Sequence, residues 1–166
     1  MRIRKLVFAA VLAALTAVCT AMVPIALPIG YVHPGDALVL LSGFLLGPLW
    51  GGVAAGLGSA IADLLLGYTM YAPGTFFIKA LSAILCALIC RQLLKDKKLP
   101  IFPLLLAGIV AEAAMVGGYF LYESLLLGYG LGATASLFGN ALQGLFGTAL
   151  FTVLALLFKK RHISLQ

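Results

Sequence analysis

Residues 36–67 form an apolar run in which only Asp36 and Asp63 can ionise. As one helix this run would overshoot a bilayer core of about 30 Å, because an α-helix rises about 1.5 Å per residue. Inside it lies Gly47-Pro48-Leu49-Trp50-Gly51-Gly52, a turn signal with a tryptophan suited to a membrane interface. The run is therefore predicted to be two short helices, 36–49 and 52–67, tilted or set in locally thinned bilayer. Gly43, Gly47 and Gly51, with Gly52 and Gly56, recur every four residues and would let the two helices pack closely. Asp36 follows Pro34-Gly35 and precedes the run, as a helix N-cap would.

The chain of 166 residues is 63% hydrophobic and 10% charged, against roughly 25% charged in soluble domains. This composition reads as a single polytopic membrane domain over 1–166. The net charge of +6 does not point to nucleic acid, because of where the charges sit. Arg2, Arg4 and Lys5, then Arg91, Lys95, Lys97 and Lys98, then Lys159, Lys160 and Arg161 each flank an apolar segment. That is the positive-inside pattern, which sets orientation. The split of 36–67 places all three clusters on one side. The reading is an all-α integral membrane protein with six transmembrane helices, near 5–23, 36–49, 52–67, 74–94, 100–125 and 133–158, and with both termini cytoplasmic. The apolar stretch after Met1-Arg2-Ile3-Arg4-Lys5 continues to about Val23, which is long enough to span rather than serve as a cleaved signal.

The loops at 24–35, 68–73 and 126–132 then fall on the outer side. They carry Tyr31, Tyr68, Tyr71 and Tyr129, with Tyr119 and Tyr122 close by. The first is rich in Pro and Gly and is expected to pack back as a lid or plug. Aromatic side chains gathered on one side, above inward polar groups, suggest a cup for a small flat molecule. Asp63 and Lys79 sit at matching depth below the outer loop and are expected to pair, serving structure, ligand binding or both. Charges inside a membrane usually mark function. Glu112 and Tyr119 share a helical face, as do Ser136, Asn140, Gln143 and Gly147. Glu112 reads as a structural carboxylate, a proton-linked group or a ligand contact, Glu123 as a rim group that solvent could reach, and His33 as a loop histidine near the cup. The candidate binding set is Tyr31, His33, Asp63, Tyr71, Lys79, Glu112, Tyr119, Asn140 and Gln143.

Several chemistries lack their parts. The sequence has no G-x-x-x-x-G-K-[ST] loop, no G-x-S-x-G and no H-E-x-x-H. Cys19, Cys86 and Cys90 lie in apolar segments and read as small core residues. No enzyme activity, metal or cofactor is expected. In the first helix Ala9, Ala13, Ala17 and Ala21 make a smooth stripe, suited either to internal packing or to docking another subunit.

Pro34-Gly35-Asp36, Gly47-Pro48-x-x-Gly51, Asp63, Tyr71-Ala72-Pro73, Lys79 and the A-x-x-x-A spacing of Ala9, Ala13 and Ala17 together resemble the substrate-binding S components of energy-coupling factor (ECF) vitamin transporters. The likeness is to the branch with riboflavin-, hydroxymethylpyrimidine- and pyridoxine-type members, and it covers essentially the whole chain. It implies high-affinity binding of a water-soluble vitamin from outside. It also implies docking through the helix-one alanines on a transmembrane scaffold subunit driven by two ATPase subunits, in a bacterial cell membrane. The excess of acidic groups over Lys79 favours a pyridoxine- or hydroxymethylpyrimidine-like ring, then riboflavin, over a polycarboxylate. The competing readings are a solitary channel or proton-coupled carrier using Glu112, and a purely structural subunit.

Overall fold

The computed structural model describes residues 2–23, 25–27, 30–94 and 101–160. Lys95, Lys97, Lys98 and Arg161, which belong to the predicted basic clusters, lie outside the described residues, and Tyr31 is described in its backbone alone. The elements in chain order are α1 (Arg2–Met22), β1 (Ile25–Leu27), β2 (Gly30–Val32), α2 (Gly35–Leu66), α3 (Ala72–Leu93), α4 (Ile101–Leu121) and α5 (Thr134–Lys160). A π-helical turn, Tyr122–Leu126, and a 3-10 turn, Gly130–Ala133, join α4 to α5. Among the described residues, five helices are long and apolar enough to cross a membrane. The remaining regular structure is a small antiparallel ribbon in which Ile25 faces Val32 and Ala26 faces Tyr31. The predicted lid loop therefore contains paired strands, a feature too short for residue pattern to announce.

Helix α2 is broken. Gly47 takes φ 78 and ψ −179, a backbone that favours glycine, and Pro48 begins the next helical stretch. Proline suits a first helical position because its missing N–H would have no partner there. The two arms, 35–46 and 48–66, fold back on each other: a Cβ placed on Gly51 would lie 2.5 Å from the Ser42 carbonyl oxygen. In a straight helix, residues nine apart could not meet in this way. The expected hairpin is present. Its break falls at Gly47, ahead of the predicted 49–52, and Leu49 to Gly52 are helical.

Glycines set the remaining close approaches. Gly43 of the first arm packs on the Ala83 carbonyl, and Gly56 of the second arm on Phe76. Gly58 sits 2.5 Å from the Ala13 carbonyl of α1, measured from a built Cβ. Gly74 meets Tyr122, and Gly108 meets Thr148, so α3, α4 and α5 run alternately up and down. The core inside this bundle includes Leu40, Leu41, Cys86, Leu104, Ala107, Ala111 and Phe151. Cys86 and Cys90 are buried within it as free thiols, as the sequence reading expected.

Candidate functional site

Four elements bring their polar side chains to one buried cluster. Lys79, on α3, donates to Asp36 Oδ1 in the first turn of α2 at 2.5 Å. Asp36 is 1% exposed and Lys79 6%. The backbone forces this partnership. Gly147 on α5 has no side chain, and a Cβ there would stand 2.8 Å from the Asp36 Cβ, so α5 closes over the pair. Two expectations are corrected here. Lys79 pairs with Asp36 and not with Asp63. Asp36 makes no side-chain cap hydrogen bond, because its carboxylate turns inward to the ammonium group. A charge-neutralised pair removes more desolvation cost than a cap would at this depth.

Glu112, on α4, lies against Gly144 of α5 and is 4% exposed. Neither of its carboxylate oxygens has a hydrogen-bond partner among the described residues. Asp36 Oδ2 and Thr148 Oγ1 are likewise buried without partners. Asp36 and Lys79 both lie within Coulombic reach of Glu112. A buried polar atom left unpaired costs about 1–3 kcal/mol, and more if charged. Acceptors held in this way are suited to a ligand that brings hydroxyl or N–H donors.

Tyr119 roofs the cluster. Its ring centroid lies 5.4 Å from Lys79 Nζ, a cation–π geometry. Its hydroxyl shares a hydrogen bond of 2.9 Å with Thr75 Oγ1. On α5, Asn140 is half-buried and makes no hydrogen bond among the described residues, while Gln143, one turn along, is buried.

Gln143 has a specific task. Its Oε1 accepts from the His33 backbone N–H at 3.0 Å, and its Nε2 donates to the His33 carbonyl at 2.9 Å. The side-chain amide thus pairs with the chain just after β2 as a neighbouring strand would, fastening the ribbon to α5. The Gly35 N–H donates to His33 Nδ1 at 3.3 Å, so that ring nitrogen is the unprotonated one. Burial holds the His33 imidazole below its ordinary value; the Asp36 carboxylate pulls the other way, and Lys79 adds to the lowering. His33 and Gln143 therefore meet each other, in addition to lying beside the cluster.

Asp63 and Tyr71 line a pocket of about 200 Å³ with Tyr68 and Thr75, and Thr75 joins it to the cluster through Tyr119. Tyr68 and Tyr71 meet edge to face, with centroids 6.2 Å apart. Burial, Glu123 and Tyr129 raise the Tyr71 hydroxyl above its ordinary value. Glu123 is buried, contrary to the solvated rim expected for it, and accepts from Ser136 Oγ at 2.5 Å. The π-helical turn carries it inward, the kind of local distortion often found at functional sites.

The alanine stripe of α1 is turned inward. Ala9 and Ala17 are buried and Ala13 is half-buried against the core. In the chain by itself this face packs toward α2, with the Ala13 carbonyl against Gly58, as internal packing of the stripe would require. The small residues left exposed are the next stripe round, Ala10 and Ala14, among Val7, Val11 and Val18.

A family model described as the ECF-type riboflavin transporter, S component, matches residues 1–160. The chain belongs to this family. A solved structure titled "Structure and mechanism of the S component of a bacterial ECF transporter" superposes with a TM-score of 0.68 at 20% identity, covering 97% of this chain and 98% of that one. A protein of Pyrococcus woesei, described as "Uncharacterized protein in gap 3'region", is 34% identical over 139 residues, or 84% of this chain and 89% of its own length. S components are membrane-embedded, substrate-binding transporter subunits and not enzymes. This S component accordingly carries its polar groups inside a bundle of membrane-length helices.

Missing from the sequence-derived set were Asp36 as the partner of Lys79, Thr75 as the partner of Tyr119, and the buried Glu123. Asp36 and Lys79 are 43 residues apart, and no periodicity links them.

Proposed function

We propose that this S component binds a neutral or weakly basic aromatic vitamin from outside, at the cluster of Asp36, Lys79, Glu112 and Tyr119, with Asn140 of α5 as a further contact. Bound vitamin is then delivered through an ECF complex of a transmembrane scaffold and two ATPase subunits. The observation that carries this reading is Glu112: a buried carboxylate with two unpartnered oxygens beside an ion pair. With Lys79 committed to Asp36, a ligand meets one surplus carboxylate. Ligand hydroxyl or N–H groups would satisfy it, and an anionic ligand would be repelled.

Riboflavin comes first among the vitamins, supported by the description of the matching family. A pyridoxine- or hydroxymethylpyrimidine-like ring is the second reading, supported by the acidic surplus, which suits a weakly basic nitrogen. The ribbon of β1 and β2, tied to α5 by Gln143, serves as the lid over the cup, with Tyr31 on its second strand. The arms of α2 count as two crossings, giving six spans. Arg2, Arg4, Lys5, Arg91, Lys159 and Lys160 then share the cytoplasmic side with both termini. Scaffold docking uses α1, through the exposed side of its small-residue surface.

Proteoliposomes separate this reading from a solitary carrier. Uptake of labelled vitamin is expected only when scaffold and ATPases are co-reconstituted with ATP. Uptake by the chain alone, driven by a proton gradient and lost in Glu112→Gln, would establish the carrier instead.

A further inference from the structure

The pocket beside the proposed vitamin cluster has its own chemistry. Asp63 stands near the outer end of α2, and its Oδ2 is buried without a hydrogen-bond partner. Among the described residues Asp63 has no ion pair, because Lys79 is held by Asp36. Asp63 shares the pocket lining with Thr75 and with Tyr68 and Tyr71, whose rings meet edge to face. A carboxylate oxygen, a hydroxyl and two aromatic rings form a lining that attracts positive charge. The volume of about 200 Å³ is below the roughly 300–1,000 Å³ of pockets for drug-sized ligands. It has room for a few waters at about 30 Å³ each, hence for a partly hydrated ion or a small ammonium group.

We propose that this pocket is a binding site for a small monovalent cation, either an alkali ion or a primary ammonium group. The cation supplies the charge partner that Asp63 lacks. The pocket is wired to the inner cluster by one side chain. Thr75, in its wall, shares a hydrogen bond with Tyr119, and the Tyr119 ring lies over Lys79. Occupancy of the pocket therefore fixes Thr75 and, through it, the roof of the vitamin cup.

The test uses the full chain in detergent without vitamin. Thermal unfolding is followed at constant ionic strength while sodium, potassium or methylammonium chloride replaces tetrabutylammonium chloride, a cation too bulky for the pocket. The expected result is a saturable rise in midpoint on the order of a few degrees, absent in Asp63→Asn. A methylammonium response that falls in Tyr68→Leu, with the alkali response kept, assigns the ammonium group. Equal responses to sodium and potassium in the parent and in Tyr68→Leu, with none to methylammonium, assign the alkali ion. Tyr68 is 53% exposed, so that variant retains its fold and keeps the test open should Asp63→Asn not assemble. No cation dependence, or a shift that survives in Asp63→Asn, would overturn the site. So would a midpoint that responds to pH alone, since a proton would then fill the role. Vitamin titration in the bulky cation alone tests the vitamin cup separately.

Discussion

Breaking the Asp36–Lys79 pair from one side should be among the most damaging polar substitutions in the chain. In Lys79→Met, Asp36 stays 1% exposed and loses its one hydrogen-bonded cation. Gly147 backs directly onto the Asp36 Cβ, which leaves the carboxylate little room to turn toward water. Leaving a buried charge uncompensated costs about 3–5 kcal/mol. For a chain of this size that corresponds to a drop of roughly 10 °C in unfolding midpoint. Replacing both partners, as Asp36→Leu with Lys79→Met, should restore most of the stability, because an apolar pair of similar volume is often neutral or better. The double-mutant cycle, read by unfolding in detergent, should give a coupling energy of about 3 kcal/mol. The matching cycle of Asp63→Asn with Lys79→Met should give a clearly smaller coupling, on the order of 1 kcal/mol or less. Strong coupling of Lys79 to Asp63, with additivity to Asp36, would refute the pairing and everything built on it.

Glu112→Gln should leave the vitamin-free protein as stable as the parent or more so, since it removes an unpaired buried carboxylate, while weakening vitamin binding about 10- to 100-fold; calorimetry and a thermal melt read the two effects, and equal loss in both would make Glu112 structural. His33 titrates below its ordinary value in the folded protein, so the unfolded chain takes up the proton first. Its contribution to the lid is complete above about pH 6.5 and is lost as pH falls. Vitamin dissociation, followed by stopped flow from pH 7.5 to 5.5, should therefore speed up in the parent and lose that dependence in His33→Gln. Ala13→Trp should lower the unfolding midpoint, because Ala13 is half-buried against the core where α1 meets α2. Ala14→Trp, on the exposed face of α1, should leave vitamin binding intact and abolish transport with the scaffold, as measured in proteoliposomes.

Much of the fold was legible because the membrane makes it so. Apolar length and flanking charge marked the helices, and Gly47-Pro48 marked the reversal in residues 36–67. The break moved to Gly47 because, of Gly47, Gly51 and Gly52, that one takes a positive φ, while Pro48 starts the second arm. The polar residues that gather at the candidate site were legible as types: Lys79, Glu112, Tyr119 and Gln143 are polar groups in apolar helices, which are costly to bury. Their partners were not. Depth along a helix placed Lys79 level with Asp63, but pairing also depends on helix rotation and on which neighbour is closest. Gly43 against Ala83 draws the first arm of α2 onto α3, so Asp36 reaches the ammonium. The same limit governed α1, where the A-x-x-x-A spacing identified a packing face without saying whether α2 or another subunit would cover it.

Trp50 sits just past the reversal of α2, packed against the core. The most direct measurement is calorimetric titration of the detergent-solubilised chain with riboflavin, pyridoxine and hydroxymethylpyrimidine. One saturating site is expected, below micromolar for at least one of the three and weakened in Glu112→Gln. Failure of all three to bind below micromolar, or a binding isotherm unchanged by Glu112→Gln, would contradict it.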